Sequence, residues 1–90
     1  MINLKKWLEK HGLPDSLVLD DWYYDSAAVG ITDDGRVVYD YHRMVHALAE
    51  VSVITDDDAA DFIDHNVLPS LGPMGPKAPI VMYSVFRSVR

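Results

Sequence analysis

Cysteine is absent from this 90-residue chain, which excludes a disulfide framework and any zinc or iron–sulfur site that needs thiolate ligands. No run of 18 apolar residues occurs, so the sequence contains no candidate for a membrane-spanning helix. The first residues, MINLKKWLEK, are amphipathic and do not lead from a charged start into an apolar stretch. These absences predict a soluble, cytoplasmic protein that has no secretory signal and does not bind a membrane.

Basic residues are scarce in the middle of the chain. Between residues 11 and 76 only Arg36 and Arg43 oppose 13 carboxylates, a local charge of −11. Such a segment repels phosphate backbones and attracts basic surfaces, so it predicts a basic protein partner and argues against direct binding of DNA or RNA. Aspartate outnumbers glutamate by twelve to two and favours caps and turns. The alternative is therefore that these carboxylates only mark the ends of helices and strands.

Apolar residues are plentiful enough for one folded domain. They make up 49% of the chain, and two Trp, five Tyr and two Phe supply bulky packing groups. A chain of this length buries only about 60% of the surface that its unfolded form exposes. We therefore predict that residues 1–90 form a single small domain of marginal stability, for which a partner or a second copy would add buried surface.

The N-terminal segment has the apolar spacing of a short helix. Leu4, Trp7 and Leu8 recur at i, i+3 and i+4, and Gly12 is placed to end the helix. The residues that follow, PDSLVLDDWYYDS, mix acidic and aromatic side chains without a clear period. They predict an ordered loop.

Two further helices are predicted after the middle of the chain. One covers residues 41–51, with Asp40 as its N-cap, and the next begins after Thr55, which is also placed as an N-cap. Proline disfavours the helical conformation of the residue before it, so Pro69 predicts that this last helix ends near residue 68. Together the two helices form an αα-hairpin.

Three segments predict strands. Residues 26–32 and 36–41 are rich in β-branched and aromatic residues and flank a turn that ends in Gly35, which is typical of a β-hairpin. Residues 71–79, LGPMGPKAP, predict a rigid irregular loop, and residues 80–86, IVMYSVF, predict a last strand. The fold class is then α+β: an N-terminal helix, a β-hairpin, an αα-hairpin and a C-terminal strand, with a small three-stranded antiparallel sheet packed by helices.

Three adjacent aromatic residues in the predicted loop are the leading candidates for a binding surface. Trp22, Tyr23 and Tyr24 cannot all point inward, so we expect at least one to be exposed or to contact a partner. The alternative is that two of them close the small core. The predicted protein-binding residues are these three and eight aspartates: Asp20, Asp21, Asp25, Asp33, Asp34, Asp56, Asp57 and Asp58. Carboxylates gathered on one face would favour binding, whereas carboxylates scattered over element ends would not.

Candidate catalytic and metal-binding residues are few. His42 and His46 stand four residues apart on a predicted helix, a spacing at which two imidazoles can face one metal ion, but Arg43 lies between them and no HExxH motif is present. Asp61 and His65 form an i,i+4 pair that more often supports a helix than performs acid–base chemistry. We therefore predict no catalytic residue, metal site or cofactor. A small metal-dependent enzyme that uses the two histidines is the least favoured alternative.

The motifs VVYDY, DFIDHN and PMGPKAPI follow one another in residues 35–83. In this order they resemble a group of uncharacterised small proteins of bacterial and phage genomes with the pattern GxVVYDYxxM, FIDxN and PxMGxKAPI. The resemblance covers a little over half of the chain and implies a phage or mobile-element origin. His42 and His46 stand where that group more usually has acidic residues, which weakens a metal role further.

Asn66 lies on the apolar side of a predicted helix within these motifs. A buried amide is costly without hydrogen-bond partners, so we expect Asn66 to bond the backbone of the proline-rich loop. With Met74, Gly75 and Lys77 it forms a predicted structural anchor for that loop.

Together, these patterns predict a small acidic, non-catalytic protein that binds a protein partner with a basic surface. One concrete form is an inhibitor of a host nucleic-acid-handling complex, comparable to an anti-CRISPR or anti-restriction protein in the host cytoplasm. The alternative is a homo-oligomeric structural or virion-associated protein with no inhibitory role.

Overall fold

A computed structural model describes residues 3–85 of the chain. Predictions for residues 1–2 and 86–90, including the last residue of the predicted C-terminal strand, lie outside the described residues. The fold is α+β, as predicted. Its helices are α1 (Leu4–Lys10), a 3₁₀ segment (Trp22–Ala27), α2 (Tyr41–Ser52), α3 (Asp56–Phe62), a π-helical turn (Ile63–Val67), α4 (Leu68–Leu71) and a second 3₁₀ segment (Gly72–Met74). Its strands are β1 (Ala28–Ile31), β2 (Val37–Asp40) and β3 (Ile80–Met82).

The three strands form one sheet with β2 in the middle. β1 and β2 are antiparallel, whereas β2 and β3 are parallel, with Val38 opposite Ile80 and Asp40 opposite Met82. The prediction of a wholly antiparallel sheet was therefore wrong. The reason is the long connection: the helices and the proline-rich loop return the chain to the end of the sheet at which β2 begins, as a parallel pair requires.

The predicted β-hairpin is confirmed. The backbone N–H of Thr32 donates to the carbonyl of Arg36 at 2.8 Å, and Gly35 takes a φ of 84° in the turn, a conformation that favours glycine. The register between the strands shifts between Ala28 and Gly30, which places a bulge in β1.

Side-chain caps define where the helices begin. The Asp40 carboxylate accepts from the N–H of Arg43 at 3.0 Å, and the Thr55 hydroxyl accepts from the N–H of Asp58 at 3.1 Å. Both predicted N-caps are thus confirmed. α2 ends at Ser52 and is capped by Val53, whose φ of 55° is left-handed.

The helix after Thr55 is longer than predicted. It continues from α3 through the π-helical turn into α4 and reaches Leu71, so the predicted end near residue 68 was wrong. Pro69 lies directly after the π-helical turn, in the first turn of the segment α4, so the helix passes through the residue before a proline against its usual preference. The residues before β1, predicted as a loop, contain the first 3₁₀ segment.

The core is assembled from every layer of the fold. α1, the first 3₁₀ segment, β2, α2, α3 and the π-helical turn each contribute buried side chains: Leu4, Leu8, Tyr24, Ala27, Val37, Tyr39, Met44, Leu48, Ala59 and Ile63 among them. The buried Tyr39 hydroxyl accepts from the N–H of Leu19 at 3.0 Å and so holds the segment before the 3₁₀ turn against the sheet. In the described part of the chain, no helix is both long and apolar enough to cross a membrane.

Candidate functional site

A groove of about 1140 Å³ runs along the outward face of α2. We call it the α2 groove. Side chains from the first 3₁₀ segment, α2, α3 and β3 line it, so it depends on the tertiary fold and not on a single loop. Among the described residues, its acidic side chains are Asp40, Glu50, Asp56 and Asp57, and its one arginine is Arg43.

The three adjacent aromatic residues divide between this groove and the core. Trp22 is 58% exposed and lines the α2 groove together with the half-buried Tyr23, whereas Tyr24 is 1% exposed and belongs to the core. Trp22 meets Tyr23 edge to face, with 5.7 Å between ring centroids. Burial is also the main cause that raises the pKa of the Tyr24 phenol. Each sequence interpretation therefore holds for part of the trio: Trp22 is at the surface and Tyr24 closes the core.

Two of the eight predicted aspartates share the groove with Trp22. Asp56 and Asp57 lie in the first turn of α3 and line the α2 groove. Asp20 and Asp21 line a second, smaller cleft of about 220 Å³.

The other predicted aspartates line neither concavity. Asp25 accepts from the backbone N–H of Leu4 at 3.2 Å and so helps to hold α1. Asp33 and Asp34 lie in the hairpin turn, where a hydrogen bond from Thr32 is the main cause that lowers the pKa of Asp34. Asp58 lies in the first turn of α3. The fold thus separates the carboxylates into groups, and the acidic surface beside Trp22 is formed by only some of them.

The proline-rich loop is attached to the hairpin by cations. Lys77 donates through Nζ to the carbonyl of Asp34, and Arg36 donates through Nε to the carbonyl of Ala78 at 2.8 Å. The prediction that Asn66 is buried was wrong, since its side chain is exposed and its amide donates to the carbonyl of Phe62, in its own helical segment, at 3.0 Å. Of the other predicted anchor residues, Met74 is half-buried in the smaller cleft, and Gly75 takes a φ of 91° in the loop.

The histidines of α2 contact aromatic and acidic neighbours. His46 lies with Nε2 at 3.4 Å from Glu50 Oε2, and the ring of His42 is 6.5 Å from that of Tyr83. Within residues 3–85, no group of three or more His, Asp or Glu side chains is placed to hold a metal ion. His65 uses Nδ1 to donate to the backbone carbonyl of Asp61 at 2.8 Å, so this ring nitrogen supports its own helix.

Sequence reasoning missed the aromatic pair at the end of the sheet. Tyr41 and Tyr83 stack with 4.7 Å between ring centroids, and Tyr83 is 56% exposed. The Tyr41 hydroxyl donates to Asp64 Oδ1 at 2.7 Å, and burial, followed by this bond, raises the pKa of Tyr41 to about 12. Only the parallel pairing of β2 with β3 places these two tyrosines side by side.

Sequence reasoning also assigned Asp40 no role beyond its cap. The side chain is 5% exposed, and one oxygen, Oδ2, accepts from the N–H of Arg43. The other oxygen, Oδ1, is buried and has no hydrogen-bond partner among residues 3–85. A buried acceptor in this state is costly.

Comparisons of this chain with protein-family models, with curated proteins and with solved structures gave no match. The geometry and charge of the α2 groove are therefore the features of the molecule that bear on its function.

Proposed function

We propose that this protein is a small acidic, non-catalytic protein-binding protein whose partner presents a basic surface to the α2 groove. The observation that carries the proposal is the exposed Trp22, at 58%, in a groove that Asp56 and Asp57 also line. Large aromatic side chains that become buried at an interface contribute much of the binding energy of protein complexes. Nearby carboxylates add attraction toward cationic partners and raise the association rate.

The specific form that we propose is an inhibitor of a host nucleic-acid-handling complex, of phage or mobile-element type, acting in the host cytoplasm. Net charge of −6 and the acidic middle of the chain support this form, since a carboxylate-rich surface competes with phosphates for a basic site. The motif resemblance in residues 35–83 supports the phage or mobile-element origin.

A second candidate is self-association, with the protein acting as a homo-oligomeric structural or virion-associated component. Exposed apolar side chains at the junction of α2 and α3 favour it: Val51 is 46% exposed, Val53 is 89% exposed and Ile54 is 39% exposed. Large apolar side chains that are exposed close together in the chain are a surface that a second copy could cover.

Affinity capture from bacterial lysate tests the proposal. Tagged wild type is compared with Trp22→Ala and with the matched control Trp7→Ala, which removes an equally large, 38% exposed aromatic side chain from α1, outside the groove. We expect wild type and the Trp7 variant to retain one basic partner that high salt releases, and the Trp22 variant to lose it. Equal retention by the Trp22 variant contradicts the proposal. Capture of the protein alone, together with a dimer in sedimentation analysis, supports self-association instead.

A further inference from the structure

The outward side of α1 carries a group of exposed lysines. Lys5, Lys6 and Lys10 are all exposed and form no salt bridge within residues 3–85. Lys6 and Lys10 are four residues apart, so they share one side of the helix, opposite the buried Leu4 and Leu8. These ammonium groups are therefore free to meet carboxylates outside their own molecule.

The indole of Trp7 adds an aromatic surface to the same side of α1. Trp7 is 38% exposed, and its ring stacks on that of His11 with 4.0 Å between centroids and 19° between planes. His11 Nδ1 donates to the Trp7 carbonyl at 2.8 Å, which holds the pair together. Three lysines and one glutamate, Glu9, give the helix a charge of +2. We call this exposed surface, with its lysines and Trp7, the basic face of α1.

The remaining described cations form no comparable group. Arg36 and Lys77 donate to backbone carbonyls at the hairpin and the proline-rich loop. Arg43 lies in the lining of the α2 groove. Among residues 3–85, the basic face of α1 is therefore the surface at which several unengaged cations lie together.

The α2 groove offers a surface of opposite charge that is open to an approaching molecule. Glu50, Asp56 and Asp57 are exposed in its lining, as is Trp22, whereas Arg43 is the one arginine among its described residues. Its volume of about 1140 Å³ is larger than the roughly 300–1,000 Å³ of most small-molecule sites. The groove is thus suited to one side of a helix more than to a small molecule.

The α1 helix of the same molecule cannot fill this groove. Leu4 and Leu8 are buried in the core, and the backbone N–H of Leu4 donates to Asp25 Oδ2 at 3.2 Å. No residue of α1 is among the described residues that line the groove. Contact between the two surfaces therefore requires a second molecule.

We propose that the α2 groove receives the basic face of α1 from a second copy of this chain, with the lysines against the groove's exposed carboxylates and Trp7 beside Trp22. Charge complementarity selects this occupant, because three of the eight cations lie in the first ten residues and 13 of the 14 acids lie between residues 11 and 76. The inference goes beyond the proposed function and does not rest on it, since both surfaces belong to this chain. A basic host partner then competes with the second copy for the groove.

Two charge-reversal variants test the contact. Lys6→Glu with Lys10→Glu reverses the basic face of α1, and Glu50→Lys with Asp57→Lys reverses the groove. All four side chains are exposed. Sedimentation velocity over a series of protein concentrations measures self-association, at about 0.1 M salt and at about 1 M salt, where screening is much stronger. Far-UV circular dichroism checks that each variant is folded.

The matched control is Asp15→Lys with Asp33→Lys, which makes the same change of charge at two exposed carboxylates outside the groove. We expect wild type to self-associate less tightly at high salt. The dissociation constant should rise about tenfold or more in each reversal variant and stay within about twofold in the control. An equimolar mixture of the two reversal variants should associate again, because the new glutamates of one then meet the new lysines of the other.

Three results overturn the inference: a wild type that is monomeric at every concentration, reversal variants that associate like wild type, or a mixture that stays monomeric. Loss of association in Val53→Ser, with none in the reversal variants, places the interface at the junction of α2 and α3 instead. Loss only in Arg87→Glu with Arg90→Glu assigns the occupant to residues after 85, which also rejects α1.

A second variant covers the case in which reversal of the groove prevents folding. Trp22→Ala then replaces it, because this exposed ring should contact Trp7 of the second copy and its loss should weaken association several-fold. Unchanged association of the Trp22 variant counts against the inference. Lysate capture separates the two proposals: a wild type that is monomeric but still captures a basic partner through Trp22 keeps the proposed function and rejects the self-association.

Discussion

Replacing Tyr39 by phenylalanine tests whether one buried hydroxyl holds the segment before the first 3₁₀ turn against the sheet. Tyr39 is fully buried and accepts from the N–H of Leu19 at 3.0 Å. Leu19 is itself 8% exposed, so Tyr39→Phe leaves a backbone donor that neither another protein group nor bulk water readily satisfies. The ring and its packing stay in place, which isolates the hydrogen bond.

The expected loss in the free energy of unfolding follows from the burial of the Leu19 N–H. A buried group that loses its partner costs roughly 1–3 kcal/mol, a large share of the stability of a small domain, which is commonly only about 5–15 kcal/mol. We expect Tyr39→Phe to lower the free energy of unfolding by about 2 kcal/mol. In a domain of this size, that loss lowers Tm by roughly 8–16 °C.

Urea unfolding followed by circular dichroism and by tryptophan fluorescence measures the effect. The slope of free energy against urea should be unchanged while the midpoint falls. Tyr83→Phe is the control, since it removes a hydroxyl from a ring that is 56% exposed and should change stability by less than about 0.5 kcal/mol. A Tyr39 variant as stable as the Tyr83 variant refutes the reasoning, because the N–H of Leu19 would then not depend on the phenol.

Three further predictions concern pH and backbone conformation. Burial is the main cause that raises the pKa values of Tyr39 and Tyr41 from 10.0 to about 12. Because these phenols lose their protons more readily in the unfolded chain, the stability that the two neutral side chains contribute is complete below pH 10 and is lost as the pH rises toward 12. Urea midpoints that agree at about pH 9 and about pH 11.5 contradict this. Val53→Gly should raise the free energy of unfolding by about 1 kcal/mol, because the exposed Val53 caps α2 with a φ of 55°, which is strained for a residue with a Cβ and not for glycine. A lower thermal midpoint of the variant in calorimetry contradicts strain at this residue. Gly35→Ala should be destabilising by about 1 kcal/mol or more, since a Cβ at a φ of 84° is strained and would stand 3.4 Å from Lys77 Nζ; an unchanged urea midpoint speaks against that requirement.

The local elements of this fold could be predicted because their signals lie within a few residues. Asp40 and Thr55 each precede an apolar helical repeat, and their side chains cap the helices that follow. Gly35 ends a run of turn residues between two β-rich segments, and its positive φ closes the hairpin.

The direction of β3 could not be predicted in the same way. Residues 80–82 have the composition of a strand, but composition does not state which way a strand runs. That direction depends on how far the connection of α2, α3 and the proline-rich loop carries the chain. The pairing of Tyr41 with Tyr83 depends on the same connection.

Asn66 was placed wrongly because the helix does not keep one period. Ala59, Ile63 and Val67 are buried at intervals of four residues, and the π-helical turn widens the helix between the last two. A regular helix of 3.6 residues per turn would have brought Asn66 toward the core. With the wider turn, Asn66 is exposed.

At the candidate site, too, features set by adjacent residues could be predicted, whereas contacts between residues distant in the chain could not. The run of three aromatic residues predicted exposure of at least one of them, and Trp22 is 58% exposed. Asp56 and Asp57 line the same groove as Trp22 because α3 packs beside α2 and α2 packs beside the 3₁₀ segment. Nothing in the local sequence relates these positions.

The parallel pairing of β2 and β3 also determines when the sheet can be completed during synthesis of the chain. β2 is made before α2 and α3, but the strand that covers one of its edges comes from residues 80–82. Until the ribosome has released those residues, the middle strand can pair only with β1, and its other edge offers free N–H and carbonyl groups to any neighbouring chain. The sheet of the nascent protein therefore stays open on one side of β2 until residues 80–82 have been made.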